Sequence, residues 1–307
     1  MAKVAIVGGG NVGAMTALYV SEKEVADVYL LDVVEGMPQG KALDMFEGTP
    51  VRGVDTRIRG SNDFEELRGS DVIVVTAGLA RKPGMSRTDL LLKNAEIITS
   101  ISEKIRIYAP HAFVIMVTNP LDIMSYVCYR RTGFPRNRVM GMAGVLDSTR
   151  FRSFIATELN VSVNDVSAMV LGGHGDAMVP LTRFANVSGI PVTEMIPAER
   201  LAALVERTRN GGAEVVALLK TGSAFYAPAA SAAQMVESIL KNKRRIIPAA
   251  VHLDGEYGLK GMFLGVPIKL GATGVEEIIE VSLSDEERTA LERSAREVED
   301  AIKELHL

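Results

Sequence analysis

The feature that most constrains the fold is a glycine-rich turn near the N-terminus, between a short apolar run and a helix-forming segment. Residues 3–7 are typical of a buried parallel strand, and residues 14–20 are typical of a helix. The turn between them has the pattern G-x-G-x-x-G and consists of Gly8, Gly9, Gly10, Asn11, Val12 and Gly13. We therefore expect a parallel α/β sheet that holds the pyrophosphate of a dinucleotide at this turn.

A carboxylate after the second predicted strand strengthens this expectation. Asp32 follows the apolar run 28–31 and lies 19 residues after Gly13 (32 − 13). A carboxylate at this spacing suits the ribose hydroxyls, and its charge would repel a 2′-phosphate, so NAD is favoured over NADP. A solvated residue at a strand end is the alternative interpretation of Asp32.

Strand and helix patterns alternate through the first half of the chain. This alternation predicts a Rossmann-type, doubly wound parallel sheet over residues 1–143. Further strands are predicted at 71–76, 113–118 and 139–143, and helices at 38–46, 87–108 and 121–131.

Polar side chains follow two of these strands, at the sheet edge where open α/β folds bind ligands. One loop carries Arg81, Lys82 and Arg87, and the other carries Asn119 before Pro120. A solvated charged loop is the alternative for the first group, and the X-Pro bond is a candidate for the cis form.

The second half changes pattern near residues 141–146, which predicts a second domain over 144–307. We expect an α+β substrate-binding and catalytic domain in which residues 244–270 form antiparallel strands. A helix is predicted to start at Asp147 and to run to about residue 159. A C-terminal helix is predicted over 284–305.

A histidine between glycines is the main candidate for acid–base chemistry. His174 lies in the sequence Gly-Gly-His-Gly-Asp after the β-rich run 166–171, and an imidazole titrates near neutral pH. Asp147 and Arg150 are three residues apart and share a helix face. The alternatives are a surface loop with an incidental histidine and a purely structural Asp147–Arg150 pair.

Composition narrows the class of protein. The net charge of −4 is spread over interspersed acidic and basic residues, so we expect neither a nucleic-acid face nor a membrane-binding patch. Cys128 is the only cysteine and lies in an apolar stretch, which predicts a buried thiol. The scattered histidines predict no metal site. Without a signal peptide or an apolar span, a soluble cytoplasmic protein is expected.

Five motifs together resemble the lactate/malate dehydrogenase superfamily over essentially the whole chain. Within it, the chain is most similar to the malate dehydrogenases that are closely related in sequence to lactate dehydrogenases. The motifs are Gly8 to Gly13 with Asp32, residues 80–87, residues 117–120, residues 147–150 and residues 172–176.

The resemblance implies reversible, NAD-dependent oxidation of (S)-malate to oxaloacetate. It implies that His174 accepts and donates the proton at the C2 oxygen and that Asp147 orients its imidazole. It assigns the C1 carboxylate to Arg150, the C2 carbonyl to Arg87 and a further substrate contact to Asn119. Asn94, Val117, Thr118 and Asn119 would line the nicotinamide and its ribose. A homotetramer is expected, with a dimer as the alternative.

Arg81 distinguishes the possible substrates. In the family, arginine at the matching position goes with oxaloacetate and glutamine goes with pyruvate. The runner-up function is therefore a dehydrogenase of lactate or another 2-hydroxy acid. A non-catalytic NAD-binding protein is a further alternative, although such a protein could have discarded His174, Asp147, Arg87 and Arg150, and all four are present.

Overall fold

A computed structural model describes residues 1–79 and 86–305, so Arg81 and Lys82 lie outside the described residues. The first half alternates strands and helices as the sequence predicts. Its elements are β1 (Ala2–Val7), α1 (Asn11–Glu22), β2 (Ala26–Leu31), α2 (Met37–Glu47), α3 (Thr49–Arg52), β3 (Ile58–Ser61), β4 (Val72–Val75), α4 (Arg87–Tyr108), β5 (Phe113–Met116), α5 (Leu121–Thr132) and β6 (Val139–Gly141).

These six strands pair in parallel in the order β6-β5-β4-β1-β2-β3. The chain order reverses next to β1, which makes the sheet doubly wound and confirms the predicted Rossmann arrangement. Val7 at the end of β1 is in register with Leu31 of β2 and with Val75 of β4. The loops after these strands therefore meet at one carboxyl edge.

Alternate residues of β1 face the two helical layers, as the period of a strand requires. Val4 and Ile6 belong to a core that also contains residues of α1 and α9 (Tyr226–Leu240), whereas Ala5 and Val7 belong to a core with α4 and α5. A sheet covered on both faces explains why the strands are continuous apolar runs. No helix in the described part of the chain is long and apolar enough to cross a bilayer.

The second half contains helices and antiparallel strands, which confirms the predicted fold class. Its other elements are α6 (Gly144–Leu159), β7 (Val166–Ser167), β8 (Val170–Leu171), β9 (Val179–Pro180), β10 (Asn186–Val187), β11 (Ile190–Pro191), α7 (Val192–Met195), α8 (Ala198–Leu219), β12 (Arg245–Asp254), β13 (Lys260–Gly271), β14 (Gly274–Ile278) and α10 (Asp285–Lys303).

The three C-terminal strands extend the parallel sheet. β12, β13 and β14 pair antiparallel, and Ala250 of β12 pairs with Gly141 of β6. Gly141 permits this join, because a Cβ there would lie 3.0 Å from the Ala250 side chain and 2.8 Å from Ser125 Oγ. One sheet thus crosses the position of the predicted domain boundary.

Helix ends place several site residues. Ser86 and Asp89 form a capping box that starts α4 at Arg87, as predicted. The Asn119–Pro120 bond is cis, and α5 begins directly after it. The predicted start of α6 was late, because the helix begins at Gly144 and places Asp147 inside its first turn.

Candidate active site

The glycine turn after β1 is shaped by close backbone contacts. Gly8 has a φ of 110°, and a Cβ on it would lie 2.5 Å from the Ala77 nitrogen. A Cβ on Gly13 would lie 1.8 Å from the Gly8 oxygen. A Cβ on Gly10, by contrast, would meet no described atom within 4 Å, and Gly10 caps α1 without a side-chain hydrogen bond. The first N–H groups of α1 are thus open to an anion that approaches Gly10 closely.

Asp32 ties the second strand to this turn. The Gly9 N–H donates to Asp32 Oδ2 at 2.6 Å, and the Val34 N–H donates to Oδ1 at 2.9 Å. Each carboxylate oxygen can accept a further bond, so Asp32 remains able to bind two hydroxyls. Sequence reasoning did not single out Lys41, whose Nζ donates to the Gly9 oxygen at 2.7 Å and places a positive charge beside the turn.

A cavity of about 680 Å³ lies at this carboxyl edge. Gly8, Gly10 and Asp32 line it together with the chain after β4. The exposed side chains of Val33 and Val34 add an apolar wall. An open helix N-terminus, a carboxylate and an apolar wall fit the phosphates, ribose and adenine of a dinucleotide.

Asn94 joins two loops at this edge and is 1% exposed. Its Oδ1 accepts from the Leu79 N–H at 2.8 Å, and its Nδ2 donates to the Asn119 oxygen at 2.8 Å. Thr118 is also buried, and its Oγ1 donates to the Ala77 oxygen at 2.7 Å. Both side chains therefore hold the loops that follow β4 and β5 at this edge of the sheet.

His174 and Asp147 form a hydrogen-bonded pair. The imidazole Nδ1 lies 2.9 Å from Asp147 Oδ2, so with Nδ1–H as the donor the other ring nitrogen, Nε2, is left for proton exchange. Arg150 Nη1 donates to Asp147 Oδ1 at 3.4 Å. The Asp147 side chain is 2% exposed, and those of Arg150 and His174 are 15% and 17% exposed. The structure thus brings together three residues that the sequence predicted for one site.

The environment of His174 favours the imidazolium ion. Burial alone would lower the pKa of His174, but the charge and hydrogen bond of Asp147 outweigh it, with a further contribution from Asp122. The net effect raises the pKa of His174 above its usual value of 6.5. A histidine held in this way can keep a proton at neutral pH and release it when the charge balance changes.

A second cavity, of about 510 Å³, contains this imidazole. Arg87 at the start of α4 and Asn119 after β5 line it with His174. A guanidinium and an amide beside a proton donor can bind a small oxo acid and stabilise charge on its oxygen. Arg150 reaches the pair from α6, where Gly211 of α8 makes room, since a Cβ there would lie 3.0 Å from Arg150 Cδ.

Two further residues hold the loop that carries His174 (residues 172–176, the histidine loop). Neither residue was identified from the sequence. Asp122 Oδ2 accepts from the His174 backbone N–H at 2.8 Å, and Ser294 Oγ accepts from the Gly173 N–H at 2.8 Å. These partners lie 52 and 121 residues away in the chain. The one sequence signal at Asp122 is that an acidic residue lies in the first turn of a helix. This signal does not indicate a contact with His174.

Cys128 is buried, as predicted, and burial raises the pKa of its thiol to about 12. It therefore stays protonated and is not a nucleophile at neutral pH. Within the residues that the structure describes, no group of three or more His, Cys, Asp and Glu side chains could hold a metal ion.

Two family models match nearly the whole chain. The lactate/malate dehydrogenase NAD binding domain matches residues 2–141, and the lactate/malate dehydrogenase alpha/beta C-terminal domain matches residues 144–306. The glycine turn with Asp32 lies in the first of these segments, and the His174–Asp147 pair lies in the second. The chain belongs to the lactate/malate dehydrogenase family.

Individual relatives are similar over their full lengths. A malate dehydrogenase of Chlorobium limicola is 54% identical over 304 residues, which cover 99% of this chain and 98% of the relative. The structure of the apo malate dehydrogenase of Picrophilus torridus superimposes with a TM-score of 0.97 at 48% identity, covering 99% of this chain and 97% of that one. A lactate dehydrogenase of Cryptosporidium parvum with lactic acid and cofactor gives 0.96 at 42% identity, covering 99% and 98%.

Proposed function

We propose that this chain is an NAD-dependent malate dehydrogenase that interconverts (S)-malate and oxaloacetate. The observation that carries the proposal is the 2.9 Å contact between His174 Nδ1 and Oδ2 of the buried Asp147, with the His174 side chain lining a cavity that Arg87 and Asn119 also line. The identity of 54% to a malate dehydrogenase over almost the whole chain supports it. We also propose that residues 1–143 bind the cofactor and that residues 144–307 form the catalytic domain.

NAD fits the first cavity by the chemistry of its donors. The open N-terminus of α1 at Gly10 would bind the pyrophosphate, with Gly9, Asn11 and Val12 contributing backbone around it. Asp32 would bind the ribose hydroxyls and disfavour a 2′-phosphate. When bound, NAD supplies a hydride acceptor, and NADH a hydride donor, at the C2 carbon of the substrate.

Asn94, Val117, Thr118 and Asn119 would define the nicotinamide end of the cofactor site. The hydrogen bonds of Asn94 to Leu79 and Asn119 favour a supporting role, in which Asn94 fixes the backbone against which the ring lies. Thr118 would act in the same way through its bond to the Ala77 oxygen.

His174 would move the proton that accompanies hydride transfer. In malate oxidation its Nε2 takes the proton of the C2 hydroxyl, and in oxaloacetate reduction it returns a proton to the C2 oxygen. The carboxylate of Asp147 accepts from Nδ1–H, fixes the tautomer and stabilises the imidazolium that forms.

Arg150 and Arg87 would hold the C1 carboxylate and the C2 oxygen of the substrate. Arg150 is placed beside Asp147 and would bind the C1 carboxylate with its planar guanidinium. Arg87 lines the cavity that contains His174 and would stabilise charge on the C2 oxygen. Asn119 would donate a hydrogen bond to the substrate from the loop after β5.

Arg81 would select malate and oxaloacetate over lactate and pyruvate. The sequence places it in the loop between β4 and α4, and the carboxylate at C4 of oxaloacetate would neutralise it. Pyruvate has no such group, and leaving a desolvated arginine unpaired costs roughly 2–5 kcal/mol. This corresponds to discrimination in kcat/KM of about 30-fold to about 5,000-fold.

The Arg81→Gln variant tests this role. We expect kcat/KM for oxaloacetate to fall by about 10²-fold or more, because one charge pair is lost, and pyruvate turnover to rise. Arg57→Gln, an exposed residue before β3, is the matched control and should keep the wild-type preference. Equal selectivity in Arg81→Gln and the wild type would remove Arg81 from substrate choice.

The activity itself is tested by initial rates of NADH oxidation with oxaloacetate and pyruvate, with NADPH as the cofactor control. Preference for oxaloacetate with NADH supports the proposal. Preference for pyruvate would favour the lactate alternative, since a lactate dehydrogenase has the same fold with a TM-score of 0.96. Binding of NADH without turnover of either acid would favour a non-catalytic NAD-binding protein.

We further propose a homotetramer in the cytoplasm, with a dimer as the alternative assembly. Exposed apolar side chains on α2 and α8 support self-association, among them Leu43, Phe46, Leu218 and Leu219. Sedimentation velocity at micromolar concentration gives the assembly directly, and a single monomeric species would contradict it.

A further inference from the structure

Asp122 is a buried carboxylate beside the acid–base pair, in the first turn of α5. The residue is 3% exposed and lines the same cavity as His174. Its Oδ2 accepts from the His174 backbone N–H at 2.8 Å, whereas its Oδ1 is buried without a hydrogen-bond partner among the described residues. A buried carboxylate oxygen that lacks a partner is costly, so this arrangement calls for a reason beyond packing.

Ionisation of Asp122 lowers the stability of the folded protein. Burial raises the pKa of Asp122 to about 6, the His174 N–H and the charge of His174 oppose that rise, and the charge of Asp147 adds to it. Since this pKa lies above that of an unfolded carboxyl, ionising Asp122 in the folded state lowers stability as the pH rises toward and past 6. A neutral amide of the same shape would avoid this cost.

The charge of Asp122 acts on the imidazole. His174 makes hydrogen bonds to two carboxylates, with Asp147 at its ring and Asp122 at its backbone N–H. Both negative charges stabilise the imidazolium, whereas the positive charge of Arg150 opposes it. The backbone bond also fixes where the ring is placed, together with the Ser294 bond to the neighbouring Gly173 N–H.

We propose that Asp122 is a positioning residue of the acid–base site, which fixes the His174 backbone by a hydrogen bond and favours the protonated imidazole by its charge. The reaction to which this applies is the malate dehydrogenase reaction proposed above. Asp122 touches neither substrate nor cofactor in this role and acts through His174.

Other charged groups face Asp122 from the neighbouring elements. Arg87 of α4, Asp176 of the histidine loop and Glu297 of α10 line the same cavity. Asp147 of α6 acts on Asp122 through its charge, and Arg150 of the same helix pairs with Asp147. Variants at Asp122 therefore need a readout that reports the ionisation of His174 itself.

The Asp122→Asn variant separates the charge from the hydrogen bond, because an amide oxygen can still accept from the His174 N–H. We expect the pKa of His174 to fall by about half to one pH unit when the negative charge is removed. The measurement is an NMR pH titration of protein labelled at its histidine rings, with the His174 signal identified by its loss in His174→Gln. Thermal stability at pH 8 should not decrease, which checks that the variant folds.

Kinetics supply the second readout. The midpoint of the pH profile of kcat/KM for oxaloacetate reduction should move to lower pH in Asp122→Asn, by the same amount as in the titration. Ser294→Ala removes a bond to the same loop without removing a charge, so it should lower kcat and leave the midpoint in place. Asp300→Asn, on the exposed face of α10, should match the wild type in all measurements.

An unmoved His174 pKa in Asp122→Asn, equal to that of Asp300→Asn, overturns the proposal whatever happens to the rate. A loss of kcat with an unmoved kinetic midpoint also overturns it, because a merely structural residue would give that result. If the wild type does not reduce oxaloacetate, the proposed function fails. The NMR titration needs no substrate and then decides the role of Asp122 alone.

Discussion

The two ends of the candidate active site are built in different ways. The edge proposed to bind the cofactor is local, since Gly8, Gly10 and Gly13 lie in one turn and Asp32 directly follows the adjacent strand β2. The acid–base site is assembled from distant segments, because His174 depends on Asp147, which is 27 residues away, and on Asp122, which is 52 residues away. A local site can be recognised from its spacing, whereas a distributed site depends on the packing of several helices.

This difference predicts separable defects. Changes in the glycine turn should weaken binding of NADH and leave the ionisation of His174 intact. Changes around His174 should reduce turnover and leave NADH binding intact. The following variants test this separation, beginning with the largest expected effect.

Replacement of His174 should have the largest effect. In His174→Gln we expect kcat for oxaloacetate to fall by about 10²-fold to 10⁴-fold, because the proton donor is lost. The affinity for NADH, measured by calorimetry, should stay within about twofold of the wild-type value. His111→Gln is the control, since His111 is exposed in the turn before β5. If the NADH affinity of His174→Gln fell by a factor as large as the fall in kcat, the two ends of the site would not be separable.

The glycine turn should respond according to the space around each glycine. In Gly10→Ala, where the added Cβ meets no described atom, we expect NADH affinity to fall by about tenfold without a change in thermal stability. In Gly13→Ala, where a Cβ would lie 1.8 Å from the Gly8 oxygen, both affinity and stability should fall.

Gly40→Ala on α2 is the matched control for both glycine variants, because a Cβ there also meets no described atom within 4 Å. It should bind NADH as the wild type does. If Gly10→Ala binds NADH with unchanged affinity, the pyrophosphate does not approach the turn as proposed.

The smallest effect is expected at Glu237, which belongs to neither end of the site. Burial alone would raise the pKa of Glu237, but hydrogen bonds and charges from Lys243 and Lys23 lower it to about 2. Glu237→Gln should lower the free energy of unfolding at pH 7 by about 1–2 kcal/mol after allowance for solvent screening, with kcat unchanged.

The pH dependence of this difference follows from the depressed pKa of Glu237. The stabilisation is fully present above about pH 4.5 and is lost as the pH falls toward 2. Thermal unfolding of Glu237→Gln and the wild type should therefore converge over this range. Glu292→Gln, an exposed position on α10, should follow the wild type throughout. A difference that is constant from pH 7 to pH 3 would contradict the ion-pair account.

The sequence by itself determined the local parts of this protein. Apolar runs bounded by glycine identified the strands, the Ser86–Asp89 spacing located the start of α4, and the position of Asp32 after β2 placed it near the glycine turn. Each of these features depends on residues that are close in the chain, so its physical cause is visible in the spacing.

Only the tertiary structure decided which distant residues act together. The pairing of Ala250 with Gly141 joined the C-terminal strands to the parallel sheet, and no short-range pattern encodes such a pairing. Packing also turned Asn94 inward, where it ties together the backbones of Leu79 and Asn119. The bond from the His174 N–H to Asp122 exists because α5 and the histidine loop meet in space. Burial at that meeting point raises the pKa of Asp122, whereas the carboxylates of Asp147 and Asp122 raise the pKa of His174 against the effect of burial.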